Sequence, residues 1–360
     1  MSKIRTVVCG TSFGRFYIEG VKLSDDKYEL VGILSTGSSQ SKEIAERENV
    51  RLYTDVNDIS KDDVDLACVV VRSNIVGGKG TELALAFLEK GIHVIQEQPV
   101  HFDDMRKCYM AAKKNNCHYF VEMFYSYLPV TNKFIEMANR LIEKTRPVYL
   151  EASCSLQVLL PLIDVIGRVL KGFTPWEIDE NSLLNVGMFS QLSGKVKNIP
   201  CQIKIQNELN SDNPDNYVYL MQRITLYTES GSLSMTESHG EIIWNPRYLI
   251  PRDERGVLDP YQNDDVLNIE LSEILKKEDN LDIRGLFEKE WPNTIRNYLN
   301  IHYSKIKSES DDKLLQQHNL TAAKYWNEIG RMIGTSRDVP EEKIVPIKMK
   351  DLLNTDCGEA

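Results

Sequence analysis

Residues 91–101, Gly-Ile-His-Val-Ile-Gln-Glu-Gln-Pro-Val-His, constrain the fold of this chain more than any other stretch. The apolar run from His93 to Gln96 reads as a buried strand, and it ends in a polar turn that Pro99 stops. The next segment, Phe102 to Asn115, has helical period, with Phe102, Met105, Tyr109 and Ala112 on one face. A buried strand that feeds a helix in this way belongs to an open parallel sheet. In such sheets ligands bind in the crevice beyond the carboxyl ends of the strands. Glu97, Gln98 and His101 are therefore expected over a ligand.

The residues before this stretch alternate in the same manner. A β-branched run, Ile4 to Cys9, leads into the turn Gly10-Thr11-Ser12-Phe13-Gly14 and a helix from about Arg15 to Leu23. Strand, glycine turn and helix make a dinucleotide-binding start, because backbone must approach a pyrophosphate closely while helix N–H groups face it. The match to G-x-G-x-x-G is imperfect. Aligned on Gly14, the first two glycine positions hold Cys9 and Thr11, with Gly10 between them. Gly10 to Gly14 are the candidate cofactor residues here, and Arg15 is a second cation for the phosphates.

A second strand, Tyr28 to Leu34, ends in Ser35-Thr36-Gly37-Ser38 with Lys42 nearby. An NAD-binding chain would place an acid there for the ribose 2′-hydroxyl; a hydroxyl-rich, acid-free turn suits a 2′-phosphate, so NADPH is expected. The same serines also suit the cap of a helix from Lys42 to Glu48. Further strands are expected near Leu52-Tyr53, at Leu66 to Val71 and at Tyr119 to Glu122. The glycine cluster Gly77-Gly78-Lys79-Gly80-Thr81 opens a helix from Glu82 to Lys90 and offers backbone to a ligand. This alternation predicts an α/β, doubly wound parallel sheet of Rossmann type over residues 1–122.

After Met123 to Pro129 the pattern changes. A helix from Val130 to Glu143 precedes a strand from Val148 to Leu156 and an apolar helix from Leu159 to Leu170. Strands then arrive without helices between them, at Cys201 to Leu209, Tyr217 to Thr228, Ser232 to Glu237 and Glu241 to Trp244. That is an α+β domain with a largely antiparallel, open-faced sheet, closed by helices from about Leu286 to Lys305 and from Leu314 to Ile333. Residues 123–335 form this second domain, and 336–360 are a polar tail.

Charge and composition narrow the function. A formal net charge of −10 and a pI near 5.3 argue against a phosphate backbone as the main partner. No run approaches the ~18 apolar residues of a membrane helix, and Met1-Ser2-Lys3-Ile4 leads straight into a strand, so a cytoplasmic protein is expected. The seven cysteines and six histidines are scattered without the spacing of a metal site. No metal is expected.

These residues resemble the Gfo/Idh/MocA oxidoreductases, whose nucleotide domain carries an E-K-P turn after its fifth strand. Here the turn is Glu97-Gln98-Pro99, so the usual lysine is replaced. The Asp-x-x-x-His pair common in that family is also missing, with apolar residues around Gln157 to Asp164. A closer resemblance is carried by Val8 to Tyr17, by Gly77 to Thr81 and by Gln96 to His101. It is to the thiazolinyl imide reductases of yersiniabactin- and pyochelin-type siderophore synthesis. That resemblance implies NADPH-dependent reduction of a thiazoline C=N to a thiazolidine, on a substrate tethered to a carrier domain of a nonribosomal peptide synthetase. It implies a proton donor, for which His101 is the first candidate and Tyr127 or Tyr125 the second, with water as a further source. Arg72, Ser73, Glu97 and Gln98 would then face the cofactor, and Gly77, Gly78 and Lys79 the substrate. The family also implies a homodimer through the open sheet. The alternatives are a sugar or cyclitol dehydrogenase of the broader family and a nonenzymatic NADP-binding regulator.

Overall fold

The computed structural model describes residues 2–71, 78–261, 265–275, 281–308, 312–341 and 343–353. Six short apolar strands, β1 (Ile4–Cys9), β2 (Tyr28–Leu34), β3 (Arg51–Tyr53), β4 (Leu66–Val69), β5 (His93–Glu97) and β6 (Tyr119–Glu122), pair in parallel. Their order is β3-β2-β1-β4-β5-β6, so the direction of winding reverses between β1 and β4. The crevice of a doubly wound sheet opens at that reversal. The intervening helices are α1 (Gly14–Lys22), α2 (Ser39–Glu48), α3 (Lys79–Glu89) and α4 (Phe102–Lys114). The sheet is the one expected, with β4 ending at Val69 rather than Val71.

The second sheet has eight strands around β7 (Pro147–Ser155). The helices α5 (Pro129–Lys144) and α6 (Leu159–Val169) flank β7 in the chain. The strands β8 (Trp176–Val186), β9 (Phe189–Val196) and β10 (Ile199–Gln206) extend the sheet on one side. On the other lie β12 (Gln222–Thr228), β13 (Gly231–Met235), β14 (Ile242–Pro246) and β15 (Glu273–Leu275). All pairs are antiparallel except β10 with β7. Leu150, Ala152, Ile203, Ile224 and Leu226 alternate into the core, while Glu151, Arg223 and Tyr227 face outward. That period of two leaves one face open.

Three details differ from expectation. The hairpin of β8 and β9 was not expected, because β8 alternates only over Trp176–Asp179 and then runs through the exposed Glu180 and Asn181 at the sheet edge. The strand expected from Tyr217 begins only at Gln222. The Gln206 side chain holds the preceding turn by donating to the Tyr217 carbonyl (2.9 Å) and accepting from the Tyr219 N–H (3.0 Å). The tail is not wholly polar. Its strand β16 (Arg337–Asp338) pairs in parallel with β11 (Glu208–Leu209), and a final helical turn, α10 (Met349–Leu353), exposes Met349, Leu352 and Leu353.

Two long helices close the structure. A helical turn, α7 (Ile283–Gly285), runs through a π-helical turn, Leu286–Glu290, into α8 (Trp291–Ser308), and α9 (Lys313–Ile333) follows. Although α8 comes late in the chain, it packs on α1 of the nucleotide domain. A Cβ on Gly20 would lie 2.6 Å from Ile295 Cγ2, so only glycine permits this approach. The Tyr28 hydroxyl donates to the Leu299 carbonyl (2.7 Å), and Tyr298 donates to that of Val121 (3.1 Å).

One buried charge ties three separate segments of the second domain together. Asp164, on the apolar helix α6, is fully buried. It accepts from Arg168 Nε (2.8 Å) and the Ser126 hydroxyl, and His318 Nε2 of α9 lies 2.7 Å from its other oxygen. Burial alone would push this carboxyl up, but Arg168 and His318 hold it well below the usual range. Breaking a buried pair leaves a charge uncompensated, which costs roughly 3–5 kcal/mol. Asp164→Asn is therefore expected to lower the midpoint of urea unfolding by the equivalent of that amount; an unchanged midpoint would show that the cluster is not holding the fold.

At the opposite edge of the first sheet, histidine rings are buried against one another. His93 stacks on His118 (5.2 Å between centroids), and His302 lies 4.1 Å from Phe120 and 4.5 Å from Tyr298. Neither ring nitrogen of His302 has a hydrogen-bond partner among the described residues. Burial pushes His93 down to about 4 and His302 down to about 3. Below about pH 6.5 the unfolded chain binds these protons and the folded one does not, so stability falls as the pH drops toward 4. His302→Phe is expected to flatten that dependence in urea titrations between pH 6.5 and 4. A wild-type slope in the variant would contradict it.

Candidate active site

The nucleotide end of the crevice is built by the β1–α1 turn. Gly10 has φ +94°, and a Cβ there would run into the Val70 carbonyl oxygen just past the end of β4. Gly10 donates its N–H to Leu34 (2.9 Å), which draws the turn down between β2 and β4. Gly14, buried, starts α1 close against Val8. Thr11 is buried at the turn and Ser12 is exposed. No side chain caps α1 at Phe13, and no acid lies in its first turn. Arg15 folds back to donate from Nε to the Ser12 carbonyl (3.1 Å). A bare helix start with an added cation is suited to a pyrophosphate.

At the end of β2, Ser35 donates its N–H to Tyr53 (3.0 Å), and Gly37 turns the chain at φ +81°. Ser38 caps α2 by accepting from the Ser41 N–H (3.2 Å), so the capping role weighed for these serines is present. Thr36 and Lys42 are exposed beside it. Arg72, Ser73 and Gly77 lie outside the described residues. Gly78, at φ +121°, precedes α3, whose first residue, Lys79, is exposed.

Beyond β5 the geometry divides the expected residues. Gln98 joins Pro99 by a cis peptide bond, and its buried Oε1 has no partner among the described residues, as an amide that awaits a ligand would. His101, the first candidate for the proton donor, is held on both sides of its ring. Its Nδ1 accepts from the Asp103 N–H (3.3 Å) as the cap of α4, and its Nε2 meets the Asn327 amide of α9 (2.9 Å). Both ring nitrogens are thus engaged within the protein. Tyr127 is likewise drawn inward. It lies edge-on to Tyr298 (4.9 Å), and Arg168 covers its ring (5.0 Å) and donates to its hydroxyl (3.3 Å). Burial raises its pKa, against the pull of Arg168.

Tyr125 is partly buried beside Phe124. Its hydroxyl points at Met221 Sδ (3.9 Å), and burial together with the charges of Glu97, Asp215 and Glu237 pushes it up. It is held protonated, as a hydrogen-bond donor. Glu237, which sequence reasoning did not single out, accepts from the N–H groups of Met221 (2.9 Å), Gln222 (2.9 Å) and Ser238 (3.0 Å). An aromatic wall completes the mouth: Trp291 packs on Phe13 (5.4 Å), Phe16 (5.0 Å) and Phe124 (5.7 Å). Among the described residues no group of His, Cys, Asp and Glu is arranged to hold a metal, and no helix is long and apolar enough to cross a membrane. The turn at Gly10, the bare start of α1 and the orphaned Gln98 amide fit a bound dinucleotide.

Comparisons with known proteins agree with this geometry. Residues 4–123 match the oxidoreductase family Gfo/Idh/MocA, described as an NAD-binding Rossmann fold. Residues 145–245 match the C-terminal domain of thiazolinyl imine reductases of the Irp3-like type. No curated protein matches by sequence. Among solved structures, the 3-ketoreductase KijD10 from Actinomadura kijaniata, in complex with NADP, superposes with a TM-score of 0.65 at 12% identity, over 94% of this chain and all of that one (100%). GenD2 from gentamicin A biosynthesis, in complex with NAD, gives 0.65 at 11% identity over 92% and 94%. The UDP-N-acetylglucosamine 3-dehydrogenase GnnA from Acidithiobacillus ferrooxidans gives 0.60 at 13% identity over 90% and 97%. At such identities the likeness concerns the fold. Residues 4–123 are thus similar to the NAD-binding domain of Gfo/Idh/MocA oxidoreductases, and residues 145–245 to the C-terminal domain of Irp3-like thiazolinyl imine reductases.

Proposed function

We propose that this protein reduces a thiazoline C=N to a thiazolidine with NADPH. Its substrate is an intermediate tethered to a carrier domain in nonribosomal siderophore synthesis. The observation that carries this reading is the pairing of the two matched domains on one chain. Gln98 supports it from the chemistry. An amide cannot transfer a proton as the lysine of the E-K-P turn does, and apolar Leu159, Leu160 and Leu162 line the start of α6, where the Asp-x-x-x-His pair is missing. Alcohol oxidation therefore lacks its usual base.

NADPH, when bound, would supply hydride; Gly10 to Arg15 would hold its pyrophosphate, Ser35, Thr36 and Lys42 its 2′-phosphate, and Gln98 would orient the reacting end. The Tyr125 hydroxyl orients the substrate, and the aromatic wall at Trp291 excludes water. Two copies associate through the open face of the eight-stranded sheet. The decisive experiment is turnover of a thiazoline thioester with NADPH. Oxidation of sugars or cyclitols in place of thiazoline reduction would favour the dehydrogenase reading instead, which the solved structures of similar fold keep in view.

The acid-free end of β2 predicts a higher kcat/KM with NADPH than with NADH, and Ser35→Asp should shift the preference toward NADH by repelling the 2′-phosphate. Equal values for the two cofactors in the wild type would contradict the assignment of that turn.

His101→Ala is expected to remove the cap of α4 and the contact to Asn327, at a cost on the order of 1 kcal/mol in stability, with kcat changed only a few-fold. A drop in kcat of about a hundredfold at an unchanged unfolding midpoint would return the proton to His101.

A further inference from the structure

Two parts of this chain lie uncovered, and their chemistry is complementary. The first is the tail beyond Glu341. It is anchored on a turn of the second domain, where Asp338 accepts from the Ser211 N–H (2.9 Å) and Asn213 donates to Glu341 (3.2 Å). Past that anchor Ile344, Val345, Ile347, Met349, Leu352 and Leu353 are between 63% and 72% exposed. A folded monomer seldom leaves such a run to water. From Val345 the sequence reads Val-Pro-Ile-Lys-Met-Lys. That is the period of a strand, with Val345, Ile347 and Met349 on one side and Lys348 and Lys350 on the other.

The second is the outer edge of the eight-stranded sheet. The order ends β7-β10-β9-β8, so β8 has no strand on its far side among the described residues. Such an edge readily takes up an extended segment. Its first residues, Trp176-Glu177-Ile178-Asp179, alternate as well. Glu177 and Asp179 are exposed on the open face, while Trp176 stacks on Tyr325 of α9 (4.3 Å). Laid antiparallel on this stretch, Lys348 meets Asp179 and Lys350 meets Glu177, with Met349 opposite Ile178. Opposite charges and apolar side chains are thereby paired across the strands.

The tail of the same chain does not reach this place. Its strand β16 pairs with β11, which follows β10, and β9 lies between β10 and β8. The anchor is also at the wrong end of β8, beside the β8–β9 turn: the Arg337 N–H donates to Asn207 (3.0 Å), and the Asn207 N–H to Met188 (2.9 Å). Extended, the stretch from Glu341 to Lys348 spans ~24 Å, about what β8 covers from Val186 back to Asp179, and leaves nothing to cross β9. The turn α10 at the end of the tail is held by the Lys348 N–H on Asp351 (3.0 Å), and a lone turn of that length has little stability of its own.

We propose that two copies of this chain exchange their tails, each adding Ile347 to Lys350 as a strand on the β8 edge of the other. The exchange is independent of the chemistry proposed above. It adds to the pairing of two copies through the open sheet face, which Glu177 and Asp179 border.

Two measurements on the full-length protein test this. In the first, Lys348→Cys and Asp179→Cys are combined with Cys357→Ser, the other six cysteines being buried, and the protein is mildly oxidised. Residues opposite one another in an antiparallel pair are close enough for a disulfide, so a covalent dimer is expected on a non-reducing gel. A link within one chain, or no link, overturns the exchange. In the second, sedimentation gives the dissociation constant of the dimer. Lys348→Glu with Lys350→Glu is expected to raise it about tenfold or more, and adding Glu177→Lys with Asp179→Lys to bring it back toward the wild-type value. All four side chains are exposed, so these substitutions leave the fold intact. A constant that the tail substitutions leave unchanged, or that the edge substitutions do not restore, overturns the proposal even where the copies pair through the sheet face. A wild-type protein that sediments as a monomer overturns it too.

Discussion

Asp164 is the constraint on which the rest of the structure depends. A carboxylate buried in an apolar helix is tolerable only if its oxygens are filled by donors, and here the donors come from three separate places. Arg168 is one turn away, Ser126 sits on the segment that leaves the first sheet, and His318 sits on the penultimate helix. Each partner is thereby held at one register. Arg168 in turn covers Tyr127, so the segment from Phe124 to Tyr127 is clamped against α6. A purely apolar contact would let these helices slide. A charge with directed hydrogen bonds does not.

The clamp also sorts chemistry from support. His101, Tyr125 and Tyr127 lie close together in the chain, and by residue type any of them suits proton transfer. What separates them is the identity of their partners, Asn327 for one, Arg168 for another and Met221 for the third. Those partners lie from 41 to 226 residues away, so no local pattern in the sequence discloses them.

The parallel sheet was legible because buried parallel strands are nearly continuous apolar runs, and each of those expected between Ile4 and Glu122 is present. The glycine turn was legible as well, although its spacing is irregular, because Gly10 and Gly14 satisfy the local geometry that backbone approach demands. The edge hairpin of β8 and β9 was not, since a strand exposed on most of its length has no reason to alternate. The Asp164 cluster left a faint trace: an Asp and an Arg one helical turn apart in the otherwise apolar run Leu159–Val169. The contact of His239 with Glu290, 2.7 Å long, left none, because 51 residues and two strands intervene.

The late helix α8 has a bearing on how the protein is made. The first sheet is complete by Glu122, but part of the apolar surface of α1 is covered by residues of the much later α8, among them Trp291, Ile295, Tyr298 and Leu299. On the ribosome the amino-terminal sheet therefore emerges and pairs while one flank still waits for more than 150 residues of later chain. Contacts of such sequence separation form slowly, and the uncovered flank is a site for chaperone capture or for wrong pairing in the meantime. The close fit at Gly20 marks where this last docking step ends.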